Sequence, residues 1–236
     1  FFTDSTSTAM TPAMVASNFC NSAAIADFNL DGANDVAKQT NGVPGVGTAF
    51  SVNYNDDVTP GTFSSLQNGY TGSPYFMSTG DLNNDGRVDV VISENGNDGV
   101  VYNMSTGGGG TVNWSAIQTF DFLVGSDDSF AANSLVSDLD GDGLNDVLIS
   151  DVDPQITGFN RRLHIYHNRG IDGSNIALLR EERESASNAD WIGVVGLTDA
   201  IMRGTHDIAV FDIDGDDLDD MVVSRNAGTT AYRRIP

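Results

Sequence analysis

A single cysteine, Cys20, leaves no partner for an internal disulfide, so whatever braces this 236-residue chain is not a sulfur cross-link. We read Cys20 as a small core residue. Basic residues are scarce as well: 11 Lys and Arg face 33 Asp and Glu, a net charge of −22 at pH 7. Such a surface repels phosphates, which excludes a nucleic-acid partner. No apolar run approaches bilayer length, which excludes insertion as a membrane-spanning helix. No Gly-x-Ser-x-Gly elbow signals an activated serine. Glutamate is also rare, with only Glu94, Glu181, Glu182 and Glu184 among the acids. The acidity is therefore aspartate, a turn former and hard-cation ligand. The chain begins Phe1-Phe2 without an initiator Met and reads as a mature product or an excised segment.

What is present is a repeat. Asp138 to Ser150 reads D-L-D-G-D-G-L-N-D-V-L-I-S, an acidic loop running into an apolar strand. Three further copies start at Asp27, Asp81 and Asp212, which makes successive units of 54, 57 and 74 residues. A recurring unit dictates architecture before any secondary structure is read, and these lengths suit one small sheet per unit. Hydrophobic residues make up 39% of the chain, enough for one domain built of such units.

Within each loop, oxygen-bearing side chains fall at positions one, three, five and nine. They are Asp27, Asn29, Asp31 and Asp35; Asp81, Asn83, Asp85 and Asp89; Asp138, Asp140, Asp142 and Asp146; Asp212, Asp214, Asp216 and Asp220. Position seven varies (Ala33, Arg87, Leu144, Leu218), as expected where a backbone carbonyl is the ligand. An all-oxygen set on a short, sharply turning backbone suits Ca2+, and up to four ions are expected. Position six is glycine in three copies and Asp217 in the fourth, which marks that loop as the weakest. An EF-hand is excluded because position twelve carries Lys38, Ile92, Ile149 and Val223 in place of a bidentate acid.

These loops, with a preceding strand such as Ile208 to Phe211 and a following Val-x-Ile-type strand, resemble the FG-GAP and VCBS repeats of integrin-like β-propellers. The resemblance spans nearly the whole chain, although the phrase that names FG-GAP is not visible. It implies an all-β β-propeller of four-stranded antiparallel blades, each with calcium in the hairpin between its first two strands. The expected blades are 9–68, 69–122, 123–190 and 191–236, with 1–8 supplying the strand that the last blade lacks. Four units make either a closed small propeller or part of a larger ring.

Four tyrosines, Tyr54, Tyr102, Tyr166 and Tyr232, fall on the third strand of successive units and read as one column of spacers between blades. Asn175 to Asp190, a short helix or long outer strand, accounts for most of the extra length of the third unit. Gly107 to Gly110 reads as a flexible turn, and two sequons start at Asn103 and Asn113. His164 and His167, three apart on a strand, point to opposite faces and do not share a ligand. His206 reads as solvated. Arg161, Arg162, Arg169, Arg180 and Arg183 read as a surface that neutralises nearby acids.

The expected function is a secreted or cell-surface binding or adhesion module for a glycan or protein ligand, with structural calcium and no catalysis. The alternative is an accessory or catalytic propeller of a secreted polysaccharide-degrading or other hydrolytic enzyme. Recognition is expected on the face opposite the acidic loops.

Overall fold

In the computed structural model of the chain, the described residues are 22–43, 47–59, 61–63, 67–72, 74–94, 98–120, 133–152, 161–181, 204–225 and 228–233. They contain strands and no helix. Ala23–Ala26 (β1), Asp35–Val43 (β2), Gly47–Asn53 (β3) and Gln67–Thr71 (β4) form one sheet in that order. Pro74–Gly80 (β5), Asp89–Glu94 (β6), Gly99–Val101 (β7) and Gln118–Thr119 (β8) form the second. Asn133–Ser137 (β9), Asp146–Val152 (β10), Arg161–Ile171 (β11) and Ala177–Glu181 (β12) form the third. Thr205–Phe211 (β13), Asp220–Arg225 (β14) and Gly228–Tyr232 (β15) form a three-stranded fourth.

All pairings are antiparallel and sequential, so each repeat is one meander. The all-β reading holds. Within the expected Asn175 to Asp190 stretch, Ala177–Glu181 form the outer strand β12 and not a helix, and 182–190 lie outside the described residues. The terminal strand expected at 1–8 lies outside the described residues, as does Cys20.

The second strands of the two inner sheets, β6 and β10, are apolar on both faces because they are covered on both. Val90 and Ile92 pack with Phe28, Phe50, Val52 and Tyr54 of the first sheet, whereas Val91 packs with Val147, Ile149 and Tyr166 of the third. Leu148, Leu163 and Ile165 of the third sheet in turn meet Ile208, Met221 and Val223 of the fourth. The sheets are therefore stacked in chain order, with alternate side chains serving successive interfaces. At the two ends of the stack Ile25 and Phe211 are 69% and 49% exposed, each on the face turned away from the packed interface of its strand.

Register corrects the tyrosine column. Val36, Val90, Val147 and Met221 pair with Asn53, Val101, Tyr166 and Tyr232. Tyr54 and Tyr102 lie one residue later, level with His167 and Arg233, and so point to the opposite face. Their hydroxyls accept from Val112 N at 3.0 Å and Ala177 N at 3.1 Å, each in the following unit. Tyr166 instead packs back toward the second sheet, stacked on Phe120 with ring centroids 4.3 Å apart. Sequence position alone had merged two faces, because a shift of one residue along a strand exchanges them.

Glycine at position 80 allows the first strands of the second and third sheets to approach. A Cβ there would lie 2.4 Å from Val136 Cγ1, too close for any carbon pair. Gly80→Ala is therefore expected to cost about 1–3 kcal/mol by overpacking. Adding Val136→Ala should recover part of that loss. Urea denaturation of the two single variants and the double variant measures the coupling, and strictly additive losses would show that this contact does not set the approach.

Candidate metal centre

Each acidic loop folds around its first aspartate. Asp27 Oδ2 accepts from Gly32 N at 2.9 Å, Asp81 Oδ2 from Gly86 N at 2.7 Å, Asp138 Oδ2 from Gly143 N at 3.0 Å and Asp212 Oδ2 from Asp217 N at 3.0 Å. The fifth residue accepts from the N–H of the seventh in all four loops, at 2.9–3.0 Å. The seventh residues (Ala33, Arg87, Leu144, Leu218) are thus held to the loop through their backbone N–H groups.

Two backbone positions per loop are left-handed. Position six has φ of 94°, 82° and 90° at Gly32, Gly86 and Gly143, and Asp217 takes 66° in the fourth copy. That loop closes with the same hydrogen bond as the others, so Asp217 bears the strain of a non-glycine residue without breaking the turn. Position four, not singled out in the sequence, is left-handed as well: Leu30 at 58°, Asn84 at 55°, Gly141 at 72° and Gly215 at 83°. Glycine in the last two copies was the available signal, masked by leucine and asparagine in the first two.

The ninth residue is a staple. Asp35, Asp89, Asp146 and Asp220 are at most 1% exposed. One oxygen of each accepts from the second loop residue: Phe28 N, Leu82 N and Leu139 N at 3.0 Å, and Ile213 N at 2.9 Å. The other oxygen, in the first three units, accepts from the backbone N–H of Asn55, Asn103 and Asn168, on or just after the third strand, at 2.8–2.9 Å. Burial pushes the Asp89 and Asp146 carboxyls up to about 7 against these donors, aided by the loop aspartates Asp85 and Asp81, and Asp140 and Asp142. Asp35 is raised for the same leading reason. By contrast the exposed Asp212 is lowered, chiefly by the Gly215 N–H.

The asparagines also tie one unit to the next. Asn103 Nδ2 donates to Phe28 O and Asn168 Nδ2 to Leu82 O, both at 2.7 Å, reaching into the loop of the preceding unit. Asn103 is fully buried, so the sequon that starts there is structural and closed to glycosylation, whereas Asn113 is exposed. The turn at 107–110 has a similar role. Gly109 N donates to Asn29 O at 2.6 Å, and a Cβ on Gly108 would sit 2.5 Å from Leu30 O, so this glycine run lets a hairpin press on the first loop.

Metal-competent groupings follow the loops. The carboxylates of Asp138, Asp140 and Asp142 converge, as do those of Asp212, Asp214 and Asp220, each set lying within 4.8 Å. In the first two loops Asn29 and Asn83 supply amide oxygen at position three. Asn83 is 2% exposed and its Oδ1 has no hydrogen-bond partner, although its Nδ2 donates to Asn175 O at 2.9 Å. A buried acceptor facing an acidic loop without a donor suits a cation. The donor set is oxygen throughout, which fits a hard divalent ion. Arg87 alters the second loop: its guanidinium pairs with Asp85 and its Nε donates to Asn103 O at 2.8 Å, supplying part of the charge that a metal would. Arg233 does likewise in the fourth loop, 3.0 Å from Asp214.

Of the other candidate residues, His164 and His167 are both buried and occupy opposite faces of β11, as their spacing required. His206 is exposed. Arg169 lies 3.9 Å from Asp140. A cleft of about 400 Å3 opens on the loop side, lined by Asp31, Tyr54, Asp56, Asp57, Phe63 and Thr111 among others. It was not visible in sequence because 55–59 turns only through local capping, with Asp56 Oδ1 accepting from Val58 N and Thr59 N at 2.9 and 2.8 Å. The opposite-face segments expected to recognise a ligand, Gln39 to Thr48, Glu94 to Gly99, Asp151 to Phe159 and Arg225 to Gly228, lie in part (44–46, 95–97, 153–159 and 226–227) outside the described residues.

No family model and no curated protein matches the chain. Among solved structures it is similar to a rhamnogalacturonan lyase of Bacillus licheniformis, with a TM-score of 0.43 and 17% identity over 89% of this chain. The chain spans 41% of that protein's length.

Two outcomes follow from the loop geometry. In chelator, Asp89 and Asp146 favour their protonated forms in the folded state relative to an unfolded value of about 3.9. Their contribution to stability is full below about pH 4 and is lost as pH rises through about 7. The melting midpoint in chelator should therefore fall across that window, while a saturating divalent ion, which favours the ionised carboxylates, should hold it up increasingly as pH rises. Equal pH slopes with and without ion would contradict this. Separately, Asp217→Gly should stabilise the chain by about 1 kcal/mol and Gly143→Ala should destabilise it by about as much, since a Cβ at Gly143 meets no atom within 4 Å and only backbone strain changes. Chemical denaturation in saturating ion reads both.

Proposed function

We propose that the protein is a calcium-stabilised β-propeller module of the FG-GAP/VCBS class that binds a glycan or protein ligand outside the cell. The observation that carries this reading is the equivalence of the four loops, each with the same carboxylate cradle at the same hairpin of successive stacked sheets. Repetition at one end of a stack is what a ring of blades with an ion at each hairpin requires. Outward-facing Ile25 and Phe211 on the terminal sheets suit closure against each other or against further blades. In this reading the first loop binds calcium through Asp27, Asn29, Asp31 and Asp35 with no basic side chain among its ligands, and it is the strongest site. Arg87 weakens the second.

Calcium here is structural, and the ligand surface is the aromatic and acidic cleft beside the first loop. Phe63 offers apolar area for a sugar face, and Asp56, Asp57 and Thr111 offer hydrogen-bonding groups. The acidity of the chain accords with a compartment where calcium is plentiful.

At free calcium tenfold above its dissociation constant each site adds about 1.4 kcal/mol, so four filled sites rival the stability of an ordinary domain. Calcium should raise the thermal midpoint strongly and chelator should abolish the gain. A glycan array probed in calcium, with Phe63→Ala as the control, should show binding that the variant loses. No thermal response to calcium would overturn the structural role, and array binding unchanged by Phe63→Ala would remove the cleft as the ligand site.

A further inference from the structure

Two loops carry asparagine at position three where the others carry aspartate, and an amide can offer an ion only one of its two polar atoms. Asn29 and Asn83 are both buried, and a carbonyl of the following unit decides which atom each presents. Asn83 Nδ2 donates to Asn175 O at 2.9 Å, and Asn29 Nδ2 donates to Gly110 O at 3.3 Å as well as to Asp31 Oδ2 at 2.8 Å. A carbonyl oxygen accepts and never donates, so it holds the amide nitrogen and leaves the amide oxygen for other partners. Asn29 Oδ1 accepts from Asp31 N at 3.2 Å, within its own loop. Asn83 Oδ1 has no hydrogen-bond partner among the described residues.

Both carbonyls belong to the outer hairpin of the next unit, between its third and fourth strands, and each hairpin is shaped for this approach. In the second unit Gly109 N donates to Asn29 O at 2.6 Å, and a Cβ on Gly108 would lie 2.5 Å from Leu30 O, so only glycine at 108 permits the contact. In the third unit Asp172 Oδ1 accepts from Ser174 N and Ile176 N, which folds the turn, and Asn175 takes a left-handed φ of 61°. The Asn175 side chain then donates to Asp85 Oδ2 at 3.0 Å, so one residue orients loop positions three and five. The third loop shows the contrast. Its position three is Asp140, whose two oxygens are equivalent, and the fourth sheet has no fourth strand among the described residues to bring a hairpin against it.

Resting on the calcium reading above, we infer that the first two ion sites are each shared between two units: the outer hairpin of the following unit supplies no ligand but turns the asparagine oxygen toward the ion and so sets the affinity of the site. Gly108 to Gly110 and Asn175 are then positioning residues for an ion held by the preceding unit. Outer-shell partners of this kind govern about 10–100-fold in metal affinity.

The test is calcium titration of the full chain against a chromophoric chelator, which resolves stepwise constants, with melting curves in calcium and in chelator alongside. Asp27→Asn identifies the constant that belongs to the first loop. Gly108→Ala should weaken that constant about tenfold and spare the others, and should narrow the gap between the melting midpoints in calcium and in chelator. Gly107→Ala, where a Cβ meets no atom within 4 Å, should match the native chain. A contact that is merely structural would lower both midpoints together and leave the constant unchanged, which overturns the shared site. Should Gly108→Ala fail to fold, the second loop decides. Asn175→Val, whose branched side chain disfavours a left-handed backbone, should weaken one constant, and Asn175→Gly, which keeps that backbone, should recover most of it. Equal constants for the native chain, Asn175→Val and Asn175→Gly would also overturn it. A native chain that takes up no calcium sinks the calcium reading and the shared sites together, whereas native uptake with unaltered variants removes the shared sites alone.

Discussion

The constraint on which this structure turns is the burial of one aspartate in every repeat. Asp35, Asp89, Asp146 and Asp220 each place a carboxylate beneath a hairpin, and three of them hold the second loop residue with one oxygen and a third-strand asparagine with the other. Removing a carboxylate from water costs several kcal/mol unless donors or a cation replace the solvent. Two backbone donors replace part of it, and the upward shift of Asp89 and Asp146 to about 7 shows that the replacement is incomplete. The same groups that order the hairpin therefore create a standing demand for positive charge.

The chain meets that demand in different ways. Arg87 and Arg233 bring guanidinium groups to the second and fourth loops, and His167 brings a nitrogen donor to the third. The first loop has no such partner among the described residues, which leaves it the most dependent on an external cation. The four copies differ at the register position beside the loop: Tyr54 and Tyr102 tie one unit to the next, while His167 and Arg233 turn toward their own loop acids. That divergence tracks loop position three, which is asparagine where the tyrosines stand and aspartate where the histidine and arginine stand.

Much of this was legible in the residues. The loops, the strands that follow them, the assignment of one sheet to each repeat and the opposite orientations of His164 and His167 come from spacing and alternation, which are local. What sequence could not supply was register. Tyr166 looks like the counterpart of Tyr102, yet the pairing of Val147 with Tyr166 and of Val90 with Val101 sets them one residue apart. The asparagines after Tyr54, Tyr102 and His167 carried the correct alignment, but their meaning rests on contacts with a loop more than 70 residues away in two of the three units. The left-handed Leu30 and the close approach at Gly80 were equally beyond composition, since both are set by neighbouring sheets or turns and not by propensity.

The central claim is that these hairpins are ion cages, and the most direct measurement is the calcium content of the intact chain after equilibrium dialysis against buffered calcium, read by atomic emission. The account predicts three to four ions per chain, falling by one with Asp27→Asn in the first loop. A content below one ion per chain would contradict it.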